Sequence, residues 1–511
     1  MAVKALNLDN IQGNILGGFN KDFQTFLFLK FKSAVKGRAW LQEIADPDSG
    51  VSVANSSSTA VLKFNAQFKA LLAAGFKKPE SLISAAWTNL ALTFSGLTAL
   101  NVKAADLQKF PTAFKQGMAT RAALIGDLGA SAPSKWLVPF GTPDVHAVLQ
   151  IAADDAQSLI DRVNDITASA KFIAAVTQLQ VVQGRTREGA EAGHEHFGFK
   201  DGVSQPGIRG VTQPDDPLGN PDQGHPGQDL LWPGEFVLGY PTQIPKSPVG
   251  GCGFNTKAGS PSKSGPSWTA DGSYLVFRRL AQDVPAFDQQ LTTLATQAGI
   301  HKDLAGAKLV GRYKSGCPLE ERHFQPQPFV VSPTDPGSAT AMPVLANSDT
   351  LNLNFEFGDD ANGAICPLAG HIRKAYPRDE RTLQKACDSE PDTQTHRLLR
   401  RGIPFGASIG NRPGGHPNDP RGLLFFCYQT DLERQFEFVQ SNWINDANFP
   451  PFPTGVTPGE DPIIAQSTSG TFQLDPAKPN IAVKHFVTTT AGEYFFAPSI
   501  DTLQKIGANK I

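Results

Sequence analysis

One carboxylate stands out in the stretch HFGFKDGVSQPGI, residues 196–208, because its neighbours are mainly glycine, phenylalanine and proline. Asp201 lies in this stretch between Lys200 and Gly202. Aspartate is seldom buried without a partner or a chemical task. The stretch therefore predicts a functional carboxylate in a tight loop. The alternative is that Asp201 only caps its own turn through its side chain.

His371 has the most suggestive setting of the ten histidines, in the segment CPLAGHIRKAYPR, residues 366–378. Small residues precede it, which would let a flat macrocycle approach. Basic residues follow it, and such cations suit a ligand that carries carboxylates, such as haem with its propionates. Arg378 is the candidate for contact with a propionate, although it could equally be a surface arginine.

Two adjacent arginines, Arg400 and Arg401, occur in RLLRRGIPFG, residues 397–406. Successive side chains of an extended segment face opposite ways, so only one of the two can turn into a site. A fixed guanidinium there would stabilise developing negative charge. Two solvated arginines at the end of a strand are the bland alternative.

Together these residues are what the cleavage of a peroxide on haem requires. The iron needs a nitrogen ligand on one face, and His371 can supply it. On the other face, a carboxylate such as Asp201 can move a proton from one peroxide oxygen to the other. A cation stabilises the charge that builds on the departing oxygen.

These side chains need a scaffold, and the hydrophobic pattern describes one. Short apolar runs predict strands at residues 23–31, 146–152, 177–183, 273–280 and 423–429. Helical periodicity predicts helices at residues 35–45, 154–168, 283–299 and 431–443. Each half carries two strand-then-helix units. This duplication predicts an α+β protein of two ferredoxin-like domains with largely antiparallel sheets, at residues 1–235 and 236–511.

Composition narrows the class of protein. The formal net charge of −2 argues against binding to nucleic acid or to a membrane surface. No apolar run reaches the length of a membrane span, and the first residues lack the apolar core of a signal peptide. The five cysteines are scattered and odd in number, which argues against a disulfide framework and a zinc site.

With these segments in place, the sequence resembles the long-chain dye-decolorizing peroxidases. The run Gly198-Phe199-Lys200-Asp201-Gly202 matches the GxxDG element of that family, with the SQP extension behind it. The segments around His371 and Arg400 are similar to those of the proximal ligand and the distal arginine. NIQGNIL (10–16), RGLLFFCYQTDLERQFEFVQSNWIND (421–446) and GEDPIIAQ (459–466) also look like blocks of the family.

The resemblance implies one haem b per chain, held mainly by the second half, with His371 as iron ligand, Asp201 as distal acid and base and Arg400 as distal cation. It implies reduction of hydrogen peroxide and one-electron oxidation of dyes, phenols or other aromatic donors. A carboxylate is expected behind the proximal histidine. Asp461 or Glu460 could serve, and Asp461 is preferred.

Further expectations concern the walls of the site. Leu423 and Phe425 share a face of their strand and could line the distal pocket, or they could be ordinary core. Tyr376 is a candidate electron relay because it lies five residues from His371. Free aspartate has a pKa of about 3.9, so an aspartate base predicts activity that persists at about pH 3–5.

The sequence departs from the family pattern at two positions, and two other classes of protein stay open. Gly402 stands where some bacterial members carry an asparagine, and Ala465 stands where glycine is more usual. One rival is a protein that binds or handles haem without being a peroxidase. The other resembles chlorite dismutase, which shares the axial histidine and distal arginine but lacks an acid equivalent to Asp201. The sequence does not decide the oligomeric state, the compartment or the natural donor.

Overall fold

The computed structural model describes residues 4–244, 257–320, 353–380, 392–410, 415–451, 457–466, 469–477 and 479–511. Two four-stranded antiparallel sheets dominate it, one from each half of the chain, and they join edge to edge.

The first sheet consists of β1 (Phe23–Phe31), β2 (Ala86–Leu92), β3 (Ala147–Ala153) and β4 (Val176–Arg185). Its spatial order is β4-β1-β3-β2, the order of a ferredoxin-like fold. The helices of this half are α1 (Gly13–Leu16), α2 (Ala34–Ala45), α3 (Ser58–Ala73), α4 (Phe94–Ala99), α5 (Ala104–Leu107), α6 (Thr112–Gln116), α7 (Ala156–Thr167) and α8 (Ala170–Ala175). Asp155 caps α7 by accepting the backbone N–H of Ser158.

The second half repeats the plan with longer insertions. Its strands are β5 (Gly207–Ile208), β6 (Leu230–Leu231), β7 (Ser273–Gln282), β8 (Leu399–Arg400), β9 (Ile403–Phe405), β10 (Gly422–Gln429), β11 (Ser469–Phe472), β12 (Ile481–Lys484) and β13 (Val487–Ala497). The sheet order is β13-β7-β10-β8, and β9 also pairs with β10. The α-helices are α9 (Val284–Ala298), α10 (Lys302–Val310), α11 (His371–Ala375) and α12 (Ile500–Gly507).

The two sheets meet at both ends. One backbone pairing, Phe496 with Leu92, joins β13 to β2. At the far ends, β4 approaches β9 so closely that a Cβ on Gly184 would lie 2.4 Å from Ile403 Cγ2. Glycine is required there because no side chain fits between the strands. The sheets therefore curl into a barrel.

Phenylalanines from both halves fill the interior of this barrel. Phe26 stacks on Phe426 with ring centroids 4.5 Å apart, and Phe28 lies 5.0 Å from Phe277. All four rings are buried. The two halves thus share one hydrophobic core, which explains why β1 is buried along nearly its whole length.

The predicted architecture of two ferredoxin-like halves is confirmed, and each predicted strand lies within two residues of the observed one. Eight strands of the described residues were not predicted: the long strands β2 and β13, and the short strands β5, β6, β8, β9, β11 and β12. The helix expected at 431–443 is instead π-helical over Glu433–Glu437 and Val439–Ile444. Its wider turns use bonds such as Glu437 N–H to Leu432 O. The division into domains at residues 235 and 236 stays a prediction.

The shared core predicts cooperative unfolding of the two halves. Phe26→Ala should lower the free energy of unfolding by about 3–5 kcal/mol, because it removes a buried ring that packs across the halves. Urea unfolding followed by tryptophan fluorescence and by circular dichroism should give one coincident, shifted transition. Val35→Ala, at a position 70% exposed, should change the free energy by less than about 0.5 kcal/mol. Two separate transitions, of which only one moves, would contradict a shared core.

Candidate active site

A large open cavity lies between the second sheet, the loop before Asp201 and helix α11. Its empty space, including solvent at the open mouth, is about 1690 Å³. Its walls are mostly apolar. The wall-forming side chains include Leu280, Val310, Phe355, Leu423, Phe425, Phe436, Val439, Ile463, Ile464 and Val487. A broad, largely apolar ligand would fit such a space.

His371 lies on one wall, at the first residue of α11. Its Nδ1 lies 2.7 Å from Oδ2 of Asp461, and the carboxylate is fully buried. The other oxygen of Asp461 accepts the backbone N–H groups of Ile463 and Ile464. The carboxylate is therefore fixed and accepts the Nδ1 proton, which leaves the Nε2 lone pair of the imidazole available.

The surroundings of His371 act on its charge in opposite directions. Burial disfavours the charged imidazole, whereas the Asp461 carboxylate favours it through its charge and its hydrogen bond. The net effect is a pKa of His371 raised above the ordinary value. Asp461 thus makes the ring more electron-rich, as carboxylates behind metal-binding histidines generally do.

A second pair of polar groups, Asp201 and Arg400, lies on the same cavity. Nη1 of Arg400 donates to Oδ1 of Asp201 over 3.3 Å, and the backbone N–H of Gly202 donates to the same oxygen. Both side chains are about one third exposed. Gly202 has a φ of +73°, a backbone conformation that glycine adopts without strain.

Gln205 connects the Asp201 loop to β8. Its side-chain oxygen accepts the N–H of Arg400, and its side-chain nitrogen donates to the carbonyl of Arg400. Nη2 of Arg400 also donates to the carbonyl of Ser204. The loop and the arginine are therefore held together by backbone contacts as well as by the ion pair.

Arg401 faces the other way, as an extended segment requires. Its guanidinium donates to the carbonyls of Asn14, Ile15 and Leu16 over 3.0–3.2 Å. Burial lowers the pKa of Arg401 to about 10. This arginine anchors α1 to the second half and takes no part in the cavity.

Besides Arg400, four arginines line the cavity: Arg278, Arg312, Arg378 and Arg397. The last three form one edge, because Arg312 and Arg378 both contact the ring of Phe355, and Arg378 and Arg397 both contact that of Tyr376. Arg378 donates to the carbonyl of Phe355 and has a φ of +53°. Arg397 pairs with the carboxylate of Asp229 over 3.0 Å. The pKa of Arg312 is lowered to about 9, first by burial and then by repulsion from Arg378 and Arg400. An anion at this edge would relieve that repulsion.

Leu423 and Phe425 lie on β10 and line the cavity beside Arg400 and Leu280. They share a face because strand side chains alternate. Among the described residues, no helix is long and apolar enough to cross a membrane, and no group of three histidine, cysteine or acidic side chains could hold a metal ion. Cys317, Cys366 and Cys427 are free thiols, and the other two cysteines lie outside the described residues.

Comparison with known proteins decides the family. The family model described as DyP dimeric alpha+beta barrel domain matches residues 10–188, and the one described as Dyp-type peroxidase, C-terminal, matches residues 255–450. A dye-decolorizing peroxidase of Exidia glandulosa is 32% identical over 98% of this chain and 87% of its own length. The chain belongs to the dye-decolorizing peroxidase family.

Solved structures agree with this assignment. The peroxidase is similar to an ancestral D-type dye decolorizing peroxidase, with 31% identity, a TM-score of 0.77 and coverage of 99% of this chain and 100% of that one. It is also similar to a dye-decolorizing peroxidase in complex with 2,6-dimethoxyphenol, with 30% identity, a TM-score of 0.73 and coverage of 98% and 100%. As a DyP-type peroxidase, the protein is an oxidoreductase.

Six of the seven predicted site residues line the cavity of this peroxidase: Asp201, His371, Arg378, Arg400, Leu423 and Phe425. The seventh, Asp461, lies behind His371. Their roles stay predictions. Sequence reasoning missed Glu195, Arg312 and Arg397, which line the same cavity. Glu195 directly precedes HFGFKD, and Arg397 lies three residues before Arg400, so their positions beside predicted site residues were a usable signal. No local pattern points to Arg312.

The opposite directions of the two adjacent arginines give a matched test in this peroxidase. Arg401→Leu should lower the free energy of unfolding by about 2–4 kcal/mol, because three buried carbonyls lose a charged donor. Arg400→Leu should cost less than about 1 kcal/mol, because its ion pair is a third exposed. Urea unfolding of the two variants measures both, and equal losses would contradict the assigned directions.

Proposed function

We propose that this peroxidase binds one haem b in the cavity, reduces hydrogen peroxide there and oxidises aromatic donors in one-electron steps. One observation carries the proposal. A histidine backed by a carboxylate (His371 with Asp461) and a carboxylate paired with a guanidinium (Asp201 with Arg400) belong to the same apolar cavity.

The residues present fit a haem group. The available nitrogen of His371 would be a suitable donor to the haem iron. The apolar walls suit the macrocycle, and the arginine edge suits its two propionates. The lowered pKa of Arg312, which burial and the neighbouring Arg378 and Arg400 cause, supports an anion at that edge. Arg378 and Arg312 are the proposed propionate contacts.

Bound haem would supply an iron centre that accepts oxidising equivalents from hydrogen peroxide and passes them to donors one electron at a time. Asp201 is proposed to take the proton of one peroxide oxygen at its carboxylate and to return it to the other oxygen, which leaves as water. The second oxygen of its carboxylate has no hydrogen-bond donor among the described residues. It is therefore available to accept that proton.

Arg400 has two proposed tasks. Its charge stabilises the negative charge that develops on the departing oxygen. Its hydrogen bond to Asp201 also holds in place the carboxylate that is proposed to accept the proton. Leu423 and Phe425 limit water beside this pair, which strengthens both electrostatic effects.

Asp461 is proposed to act through His371. Because it accepts the Nδ1 proton, it fixes the ring in one tautomer and raises its basicity toward the iron. Its own position depends on two backbone N–H groups and not on a mobile side chain. Lys374 lies nearby and is buried, with its ammonium donating to the carbonyl of Asp446.

The test of the distal acid is Asp201→Asn. The second-order rate constant for reaction with peroxide should fall about 10²–10⁴-fold, because an amide cannot accept the proton. Stopped-flow absorbance of the haem-loaded protein measures it, and the absorption band of bound haem should stay. Asp161→Asn, an exposed acid on α7, should change the rate less than twofold. An unchanged rate in Asp201→Asn would contradict the proposal.

The rival function, haem handling without peroxidase activity, gives a different result in the same experiment. It predicts haem binding that depends on His371 but a slow peroxide reaction in the wild type that Asp201→Asn does not change further. His371→Ala should lose the haem absorption band under either function, so that variant checks the ligand alone.

Tyr376 is proposed to be the first electron donor of the chain. The chain has six tyrosines and six tryptophans, all within the described residues. Of these twelve, Tyr376 lines the cavity and the others do not. Its hydroxyl donates to Oδ2 of Asp229 over 2.8 Å. The guanidinium of Arg397 lies over its ring, 3.7 Å from the centroid.

These contacts favour loss of an electron from the Tyr376 ring in the same step as loss of its phenolic proton. A cation over the ring disfavours a positively charged radical. Loss of one electron from Tyr376, with transfer of its phenolic proton to Asp229, instead leaves a neutral phenoxyl. A phenolic donor then returns an electron and Asp229 returns the proton, while the oxidised donor loses its own proton to water. Tyr376 is half-buried, so such a donor can reach it from the cavity mouth.

Tyr376→Phe tests this relay. Freeze-quench electron paramagnetic resonance after addition of peroxide should detect a tyrosyl radical in the wild type that narrows with ring-deuterated tyrosine. The signal should fall at least about tenfold in Tyr376→Phe. Tyr240→Phe is the matched control, because Tyr240 also donates to a carboxylate, Asp271, but lies away from the cavity. A signal that persists without Tyr376 would contradict the relay.

A further inference from the structure

A carboxylate that the proposed mechanism does not use lies on the same cavity wall. Glu195 precedes the loop that carries Asp201 and lines the cavity with it. Its Oε1 accepts the backbone N–H of Phe199, and its Oε2 accepts the backbone N–H of Phe197, both over 2.8 Å. The side-chain amide of Gln282 also donates to Oε2. Three N–H groups therefore converge on one side chain.

The backbone of the same residue closes the turn from the other side. The N–H of Glu195 donates to the carbonyl of Phe199, and its carbonyl accepts the N–H of Gly198. Gly198 has a φ of +94°, which completes a tight turn. Two residues after Phe199, the N–H of Asp201 donates to the carbonyl of Gly193. Residues 193–201 thus form a folded loop around the Glu195 carboxylate.

Gln282 links this loop to the sheet. It is the last residue of β7, and its side chain lines the cavity. The rings of Phe197 and Phe199 add a second attachment, because both contact Phe287 of α9, at 4.2 and 6.3 Å between centroids. The backbone that leads to Asp201 is therefore tied both to the sheet and to a helix.

We propose that Glu195 is a positioning residue, which holds the Asp201 carboxylate where peroxide reacts by clamping residues 195–199 to β7. The proposal rests on the function proposed above for Asp201. The clamp needs acceptors at both ends of the carboxylate, because an amide accepts N–H groups only at its oxygen and turns an NH₂ group toward the remaining donor. Burial raises the pKa of Glu195, the three N–H groups oppose that rise, and the nearby Asp201 adds to it.

Glu195→Gln is the direct test, since it keeps the size of the side chain but turns an NH₂ toward N–H donors. The rate constant for peroxide should fall about 10–100-fold, the scale expected when a reacting group is misplaced by about 1 Å. Glu188→Gln, an exposed acid on the preceding segment, is the control and should leave the rate within twofold. Gln282→Leu removes only the link to the sheet and should give a smaller loss in the same direction.

Two readouts separate positioning from other roles. In the haem-free protein, amide hydrogen exchange at Phe197 or Phe199 should accelerate at least about tenfold in Glu195→Gln, because the backbone N–H that meets the NH₂ group loses its acceptor. In the double variant with Asp201→Asn, the peroxide rate should match that of Asp201→Asn alone within about twofold, because Glu195 acts only through Asp201.

Each contrary result has a definite meaning. A wild-type peroxide rate in Glu195→Gln overturns the inference. Multiplicative losses in the double variant also overturn it, because Glu195 would then act on peroxide by itself. If Asp201→Asn reacts as fast as the wild type, the proposed function of Asp201 fails, whereas the exchange of the two amides still reports whether Glu195 holds the loop.

Discussion

Both the fold and the candidate site depend on the alternation of side chains along the short extended segment that contains Arg400 and Arg401. Arg400 and Arg401 are neighbours, so their side chains must face opposite sides of the backbone. One reaches the cavity and Asp201. The other is buried against the carbonyls of α1 at the start of the chain. A shift of register by one residue would exchange a guanidinium needed in the cavity with one needed between the halves.

Backbone contacts of this kind also hold the Asp201 carboxylate, which lies on a loop. Loops are usually the mobile part of a fold. The backbone on either side of Asp201 is nevertheless hydrogen-bonded to other parts of the protein. After Asp201 in the chain, the side chain of Gln205 is hydrogen-bonded to both the N–H and the carbonyl of Arg400. Before Asp201, the carboxylate of Glu195 accepts backbone N–H groups of the loop, such as that of Phe197. The surroundings of His371 are built in the same way, because backbone N–H groups fix Asp461 behind it. The side chains proposed to act in the cavity are therefore positioned by backbone hydrogen bonds.

The sequence contained most of the scaffold and the centre of the site, for identifiable reasons. β1, β7 and β10 are short apolar runs, so their burial shows in the pattern. β13 was missed because threonines and a Gly-Glu pair interrupt its hydrophobic pattern, although it is buried between β2 and β7. The π-helical turns at 433–444 depend on which carbonyl each N–H selects, and side-chain periodicity does not record that choice.

Asp201, His371 and Arg400 were found because each lies in a distinctive local segment, which led to the family and, through it, to Asp461. Arg312 and Glu195 could not be found in this way. Arg312 meets Arg378 and Arg400, which are far away in the chain, and Glu195 acts through hydrogen bonds to backbone N–H groups.

Gly184 shows how far the influence of one position can extend. It belongs to the last strand of the first half, and its Cα faces Ile403 with no room for a side chain. Ile403 follows Arg400 by three residues on the neighbouring strand of the second half. Any larger residue at position 184 would press on β9, which begins three residues after Arg400. The contact that closes the barrel therefore also ties the first half of the chain, which holds neither His371 nor Arg400, to the backbone beside Arg400.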